Sequence, residues 1–238
     1  MRHFFIVFML LIGKTAVAQN ISATELLEKT IEFHDPNNLW NTFEATFKIS
    51  MQTPKSSERL STIAINNPKE QFNLKVEKDS TVYQYDFDGE KCTTILNGYS
   101  EITDAARKKY RLTCERGKMM QNYYTYLYGL PMKLKDPGTL IDDKVQRKKF
   151  KGTDYLVLKV TYKEGVGDDV WYFYFDPKTY AMEVYQFYHN ETKNDGEYIL
   201  LDELEDINGI KMPKKRAWFY NQDNTYLATD ILKSSAQK

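Results

Sequence analysis

From Phe43 onward the chain alternates with period two. Phe43, Ala45, Phe47, Ile49 and Met51 fall on one side, with Glu44, Thr46, Lys48, Ser50 and Gln52 on the other. Successive side chains of an extended strand point to opposite faces, so this run predicts a strand with one buried and one solvated face. The alternation returns in Phe72, Leu74 and Val76, and again in Tyr83, Tyr85 and Phe87. Asn66-Asn67-Pro68, Lys78-Asp79-Ser80, Asp88-Gly89 and Asn97-Gly98 punctuate the runs, at the spacing of hairpin turns. The first half therefore reads as an antiparallel meander. Ahead of it, Ser22-Ala23-Thr24-Glu25 has the form of a helix capping box, and Leu27, Ile31 and His34 follow at helical spacing. Pro36 ends that helix, and His34, at its last turn, is read as a group facing the final carbonyls.

Two further helices are predicted over residues 103–109 and 115–128. The second is unusual, because Met119, Met120, Tyr123, Tyr124, Tyr126 and Leu127 cover most of its circumference, whereas a surface helix carries one apolar stripe. It is expected to be buried or inserted. A proline-punctuated connection through Met132 follows, and strands resume at 144–150, 155–162, 170–175, 180–189, 197–204, 210–220 and 226–232. In Trp171-Tyr172-Phe173-Tyr174-Phe175 and Val184-Tyr185-Gln186-Phe187-Tyr188 both faces carry large side chains. That pattern fits a curved sheet with tyrosines on the convex side and Trp, Phe and Met on the concave side. The expected fold is mainly β: a single curved antiparallel sheet or unclosed barrel of about eleven strands, with the N-terminal helix and one or two more helices closing the concave side.

The start of the chain is of a different kind. Arg2 and His3 precede an uninterrupted apolar run from Phe4 to Ile12, and Ala16-Val17-Ala18 closes it with small residues, the pattern of a secretory signal peptide spanning residues 1–18. The apolar run is about nine residues, well short of the roughly 20 that span a bilayer, so no stable membrane insertion is expected after cleavage. Position 19 is Gln19 and the first cysteine is Cys92, so no lipid anchor is expected. Residues 19–238 contain no clear linker or repeat and read as one domain, exported to the periplasm or secreted. With 33 Lys+Arg against 33 Asp+Glu, no global field steers the chain onto nucleic acid, and no nucleic-acid partner is expected.

Candidate chemistry is sparse. Two cysteines in an exported chain, Cys92 and Cys114, can form one bridge; two separately buried thiols are the alternative. His34 and His189 have no acid at ligand-like spacing on one helix face, and no metal, cofactor or catalytic residue is assigned. Asp142-Asp143, Asp168-Asp169 and Glu205-Asp206 sit in turns or strand ends, where solvation explains them. Arg107-Lys108-Lys109, Arg147-Lys148-Lys149-Lys151 and Lys214-Lys215-Arg216 are read as solvated edges, the alternative being contact with lipid headgroups. The distinctive feature is the Met/Tyr helix. Methionine is flexible and polarisable, and tyrosine joins apolar area to a hydroxyl tip, which suits a surface for apolar ligands. The same residues also suit a helix filling a curved sheet as core.

The segments Ala23-Thr24-Glu25-Leu26-Leu27-Glu28-Lys29, Asn122-Tyr123-Tyr124-Thr125-Tyr126-Leu127-Tyr128-Gly129-Leu130-Pro131, Phe173-Tyr174-Phe175-Asp176-Pro177-Lys178-Thr179 and Asp195-Gly196-Glu197-Tyr198-Ile199-Leu200 resemble an exported branch of the bacterial lipoprotein carrier (LolA-like) superfamily. The resemblance covers nearly all of the mature chain. It implies an unclosed barrel whose concave side, shielded by helices, holds acyl chains; lipoprotein transport itself is not carried over, because the carriers' cavity arginine has no counterpart placed residue by residue. On the residues and the resemblance together, the expected role is binding of a lipid, acyl chain or other hydrophobic small molecule without catalysis. The ligand-binding candidates are Met119, Met120, Tyr123, Tyr124, Tyr126, Leu127 and Met132, joined by Trp171, Phe173 and Phe175. The competing expectation is a solidly packed module that meets an envelope protein.

Overall fold

The computed structural model describes residues 21–234; the signal-peptide segment lies outside the described residues. Ser22 caps the first helix, α1 (Ala23–His34), its hydroxyl accepting from the Glu25 N–H at 3.1 Å. Asp35 then holds the turn by accepting from the N–H groups of Leu39 and Trp40. The first meander follows as β1 (Glu44–Thr53), β2 (Ser56–Asn66), β3 (Gln71–Lys78), β4 (Thr81–Asp88) and β5 (Lys91–Leu96). Two helices interrupt it, α2 (Asp104–Tyr110) and α3 (Cys114–Gly129). The second meander is β6 (Thr139–Ile141), β7 (Gln146–Phe150), β8 (Thr153–Tyr162), β9 (Val170–Phe175), β10 (Met182–Tyr188), β11 (Glu197–Ile207), β12 (Ile210–Tyr220) and β13 (Tyr226–Ser234).

All thirteen strands join one antiparallel sheet in the order β5-β4-β3-β2-β1-β13-β12-β11-β10-β9-β8-β6, with β7 also paired to β8. The two meanders meet where β1 pairs with β13, Phe47 opposite Ser234 and Gln52 opposite Thr229. The count exceeds about eleven because of β2, whose first half reads Ser-Ser-Glu-Arg, and the three-residue β6 inside the proline-rich connection.

The sheet curves around one core. Phe47, Ile63, Leu74 and Tyr85 form a row across β1–β4 on the concave face, and Leu158, Phe173, Tyr185 and Ile199 continue the apolar lining across β8–β11. The convex face of the second half carries a separate cluster of Tyr155, Val157, Tyr172, Tyr174 and Val184. Lys148 lies 3.9 Å over the Tyr172 ring and Lys151 4.6 Å over Tyr198, so two members of a basic run serve as covers for this tyrosine layer.

Helix α3 lies in the hollow of the sheet, burying Tyr124, Leu127 and Tyr128. Two glycines let it settle there: a Cβ at Gly117 would stand 2.7 Å from the Tyr85 ring, and one at Gly129 would run into Trp40. Its first residue, Cys114, is bridged to Cys92 of β5, with Cα atoms 5.9 Å apart. The bridge closes a separation of 22 residues, for which lost chain entropy contributes about 3 kcal/mol. Reduction, or a Cys92→Ser/Cys114→Ser pair, should therefore lower the urea midpoint by an amount equivalent to about 3 kcal/mol; an unchanged midpoint would show that α3 is seated without the bridge.

Two sequence expectations are corrected. His34 does not face its own helix carbonyls; it is fully buried, with Nδ1 donating to the Lys211 carbonyl at 2.6 Å and Nε2 accepting from the Met182 N–H at 3.0 Å. It ties α1 to β12 and to the start of β10. Arg216 does not share the solvated edge with Lys214 and Lys215, which pair with Glu203, Glu205 and Asp202. It is 1% exposed, because alternation along β12 turns it to the concave face under α3.

Candidate functional site

Between α3 and the inner face of β9–β13 lies an apolar hollow of about 490 Å³. Its helix wall is Tyr123, Tyr126 and Leu127, and its sheet wall is Trp171, Phe187, Trp218 and Ala228. Strand register assembles the sheet wall: Trp171 pairs with Phe187, Phe187 with Glu197, and Trp218 with Ala228. The rings then pack on one another, Trp171 stacked on Phe187 at 4.8 Å, Tyr126 edge-on to Trp171 at 5.7 Å, and Tyr123 along Trp218 at 6.5 Å.

At the deep end is Asp230, 6% exposed and opposite Met51 of β1. At the open end, Asp169, His189 and Glu197 stand at the ends of β9, β10 and β11. His189 Nδ1 and Asp169 lie 2.6 Å apart. A second hollow of about 300 Å³ adjoins the first, sharing Tyr126, Asp169 and Trp171. A larger depression, about 880 Å³, lies on the opposite, convex face. It runs along polar rows such as Asn66, Gln71 and Asp88 on the solvated side of the sheet.

The electrostatics follow burial. Tyr123 stays 37% exposed because its ring faces the empty volume, yet desolvation of its hydroxyl and the nearby Asp230 push its pKa well above the usual value. Tyr126, bonded to the Tyr162 hydroxyl, is raised in the same way by burial. Burial also raises the Asp230 carboxyl, against the pull of Arg59 and Arg216. At the mouth, the hydrogen bond that His189 donates to Asp169 raises the histidine's pKa, and burial raises that of Glu197.

Arg216 itself is turned away from the hollow. Its guanidinium donates to the carbonyls of Pro213 and Leu127 and lies 3.9 Å over the Tyr128 ring. Nε of Arg216, Nε of Arg59 and Oδ1 of Asp230 have no hydrogen-bond partner, which leaves a polar seam beneath an otherwise apolar lid.

The sequence candidates divide accordingly. Tyr123, Tyr126, Leu127 and Trp171 come together in the hollow. Met120 packs at the edge of the core, and Tyr124 is buried with its hydroxyl on Ser61 at 3.4 Å. Met132, Phe173 and Phe175 are core residues behind the wall, and Met119 points outward, 48% exposed. Phe187, Trp218, Asp230 and the His189–Asp169 pair were missed. A signal for the pair was present: β9 and β10 form a hairpin with Tyr188 opposite Val170, so the next residues outward are His189 and Asp169.

No curated protein matches the chain. Among solved structures, a DUF1329 family protein from Desulfovibrio piger superposes with a TM-score of 0.51 at 10% identity, covering 90% of this chain and 94% of that one. A LolA superfamily protein from Nitrosomonas europaea superposes with a TM-score of 0.49 at 13% identity over 90% and 92% of the two chains. At 10% identity the likeness to the Desulfovibrio piger protein is one of fold alone. A family model described as a family of unknown function, DUF6503, matches residues 2–234, and the chain belongs to that family.

Proposed function

We propose that the protein is exported, to the periplasm in the first instance, and binds a lipid, acyl chain or other hydrophobic ligand without chemical turnover in the hollow under α3. The observation that carries this reading is the hollow itself: at about 490 Å³ it falls within the roughly 300–1,000 Å³ of small-molecule sites, and stacked aromatic rings wall it. Roughly ten buried methylenes contribute about 8 kcal/mol, comparable with the cost of association. The pattern of residues 1–18 supports export, and the sequence resemblance to lipoprotein carriers supports the ligand class.

The lining of the hollow supports binding: no Ser, Thr, Cys or Lys side chain is among its residues, and its phenols are held protonated by burial.

Native mass spectrometry of protein purified from its own envelope should show a bound apolar species. The delipidated protein should bind the neutral probe N-phenyl-1-naphthylamine, with weaker binding by Trp171→Ala. A clean apo mass together with no probe binding would overturn the reading and favour the packed interaction module.

A further inference from the structure

We infer that the hollow takes an amphiphile whose head is an alkylammonium cation, an inference that rests on the hydrophobic-ligand reading and specifies its chemistry. Besides the phenols of Tyr123 and Tyr126, the ionisable groups lining the hollow are Asp169, Glu197, Asp230 and His189; no lysine or arginine is among them. The adjoining hollow adds Asp136 and Asp168, and its one cation, Lys133, is paired to Asp136. A ligand entering from the mouth therefore meets carboxylates first.

Behind them stand ring faces, Phe187 stacked on Trp171 and Tyr123 along Trp218. Carboxylates around aromatic faces are the chemistry that recognises ammonium groups, because the ring quadrupole attracts a cation that the carboxylates have drawn in. The deep end adds an acceptor: Asp230 is nine-tenths buried and its Oδ1 has no partner.

The nearby arginines do not reverse this preference at the mouth. Arg216 is bonded to two carbonyls and lies over the Tyr128 ring, and its charge, opposite Asp230 across β12 and β13, offsets that carboxyl and not the mouth. Arg59 lies across β1 from Asp230, beyond Met51, so it offsets Asp230 and not Asp169 or Glu197. A carboxylate-headed chain of the same length would place its charge against Glu197 and the Asp169–His189 pair, with no lysine or arginine in the lining to meet it.

The test compares dodecyltrimethylammonium with dodecanoate by isothermal titration calorimetry on the full-length mature protein, below micelle formation, at neutral pH and low salt. The ammonium compound is expected to bind about tenfold more tightly, with the ratio shrinking as salt screens the mouth. In Asp169→Asn/Glu197→Gln, two conservative rim changes, the ratio should fall to about one.

Equal or tighter binding of dodecanoate by the wild type, or a ratio unchanged in the double variant, would overturn the inference while leaving hydrophobe binding intact. So would binding of N-phenyl-1-naphthylamine with neither charged ligand. Failure of all three probes would remove the hydrophobic-ligand reading and this inference together.

Discussion

Phe173→Ala should lower the free energy of unfolding by about 3–5 kcal/mol, among the largest effects expected of a single truncation on the concave face. Phe173 has no exposed surface and lies in the row Leu158–Phe173–Tyr185 across β8, β9 and β10. Neighbours on rigid strands cannot collapse into the space it leaves, so the cavity cost adds to the lost transfer energy. Trp171, two positions earlier on the same face, borders empty volume, and Trp171→Ala should cost far less stability while weakening ligand binding. Urea unfolding of both variants beside probe titrations separates core from wall. Equal destabilisation by the two would mean that the hollow is not open, and that Trp171 is packed as tightly as Phe173.

The second large effect is a loss of stability in acid that depends on His34. Only the neutral ring with its proton on Nδ1 can donate to Lys211 and accept from Met182; protonation would set an N–H against an N–H. Desolvation is the main cause that lowers its pKa from 6.5 to about 4, with the positive charges of Lys211 and Arg216 adding to it. The unfolded chain therefore binds this proton more readily than the native one. The contribution is fully present above pH 6.5 and is lost as the pH falls from there to about 4, to a total of about 3 kcal/mol.

Asp230 and Glu197, whose pKa values are raised, titrate with the opposite sign, as does His189. The measurement is accordingly the difference in pH slope between the wild type and His34→Gln. The variant should be less stable at pH 7 but should lack the wild type's fall between pH 6.5 and 4. Parallel slopes would remove His34 as the origin of the acid sensitivity.

How far the sequence could be read depended on which face a residue's alternation served. Strands with apolar inner positions, such as β1 and β3, were legible, as were the hairpin turns between them. The strand β2 was hidden because its inner positions Arg59 and Ser61 are polar. They are polar for a reason that becomes visible only with α3 in place: Ser61 receives the Tyr124 hydroxyl, and Arg59 shares the buried seam with Asp230. Arg216 was concealed in the same way, inside a run that looked like a surface cluster. Half of the candidate site was legible from the odd composition of α3 and the two-faced β9. Phe187, Trp218 and Asp230 were not, because their convergence is set by pairings across β10–β13 and β1 that no local pattern encodes.

The meeting of β1 with β13 has a consequence for how the molecule is assembled. Phe47 finds its partner Ser234 only when almost the whole chain is present, so the central seam of the sheet is its most non-local contact, and closing it is entropically late. Until then β1 is the open edge of a five-stranded sheet with a largely apolar inner face, a template for pairing with other chains. Each newly made molecule therefore passes through a stage in which its future centre is an unprotected margin. A chain ending before β13 would be held at that stage permanently.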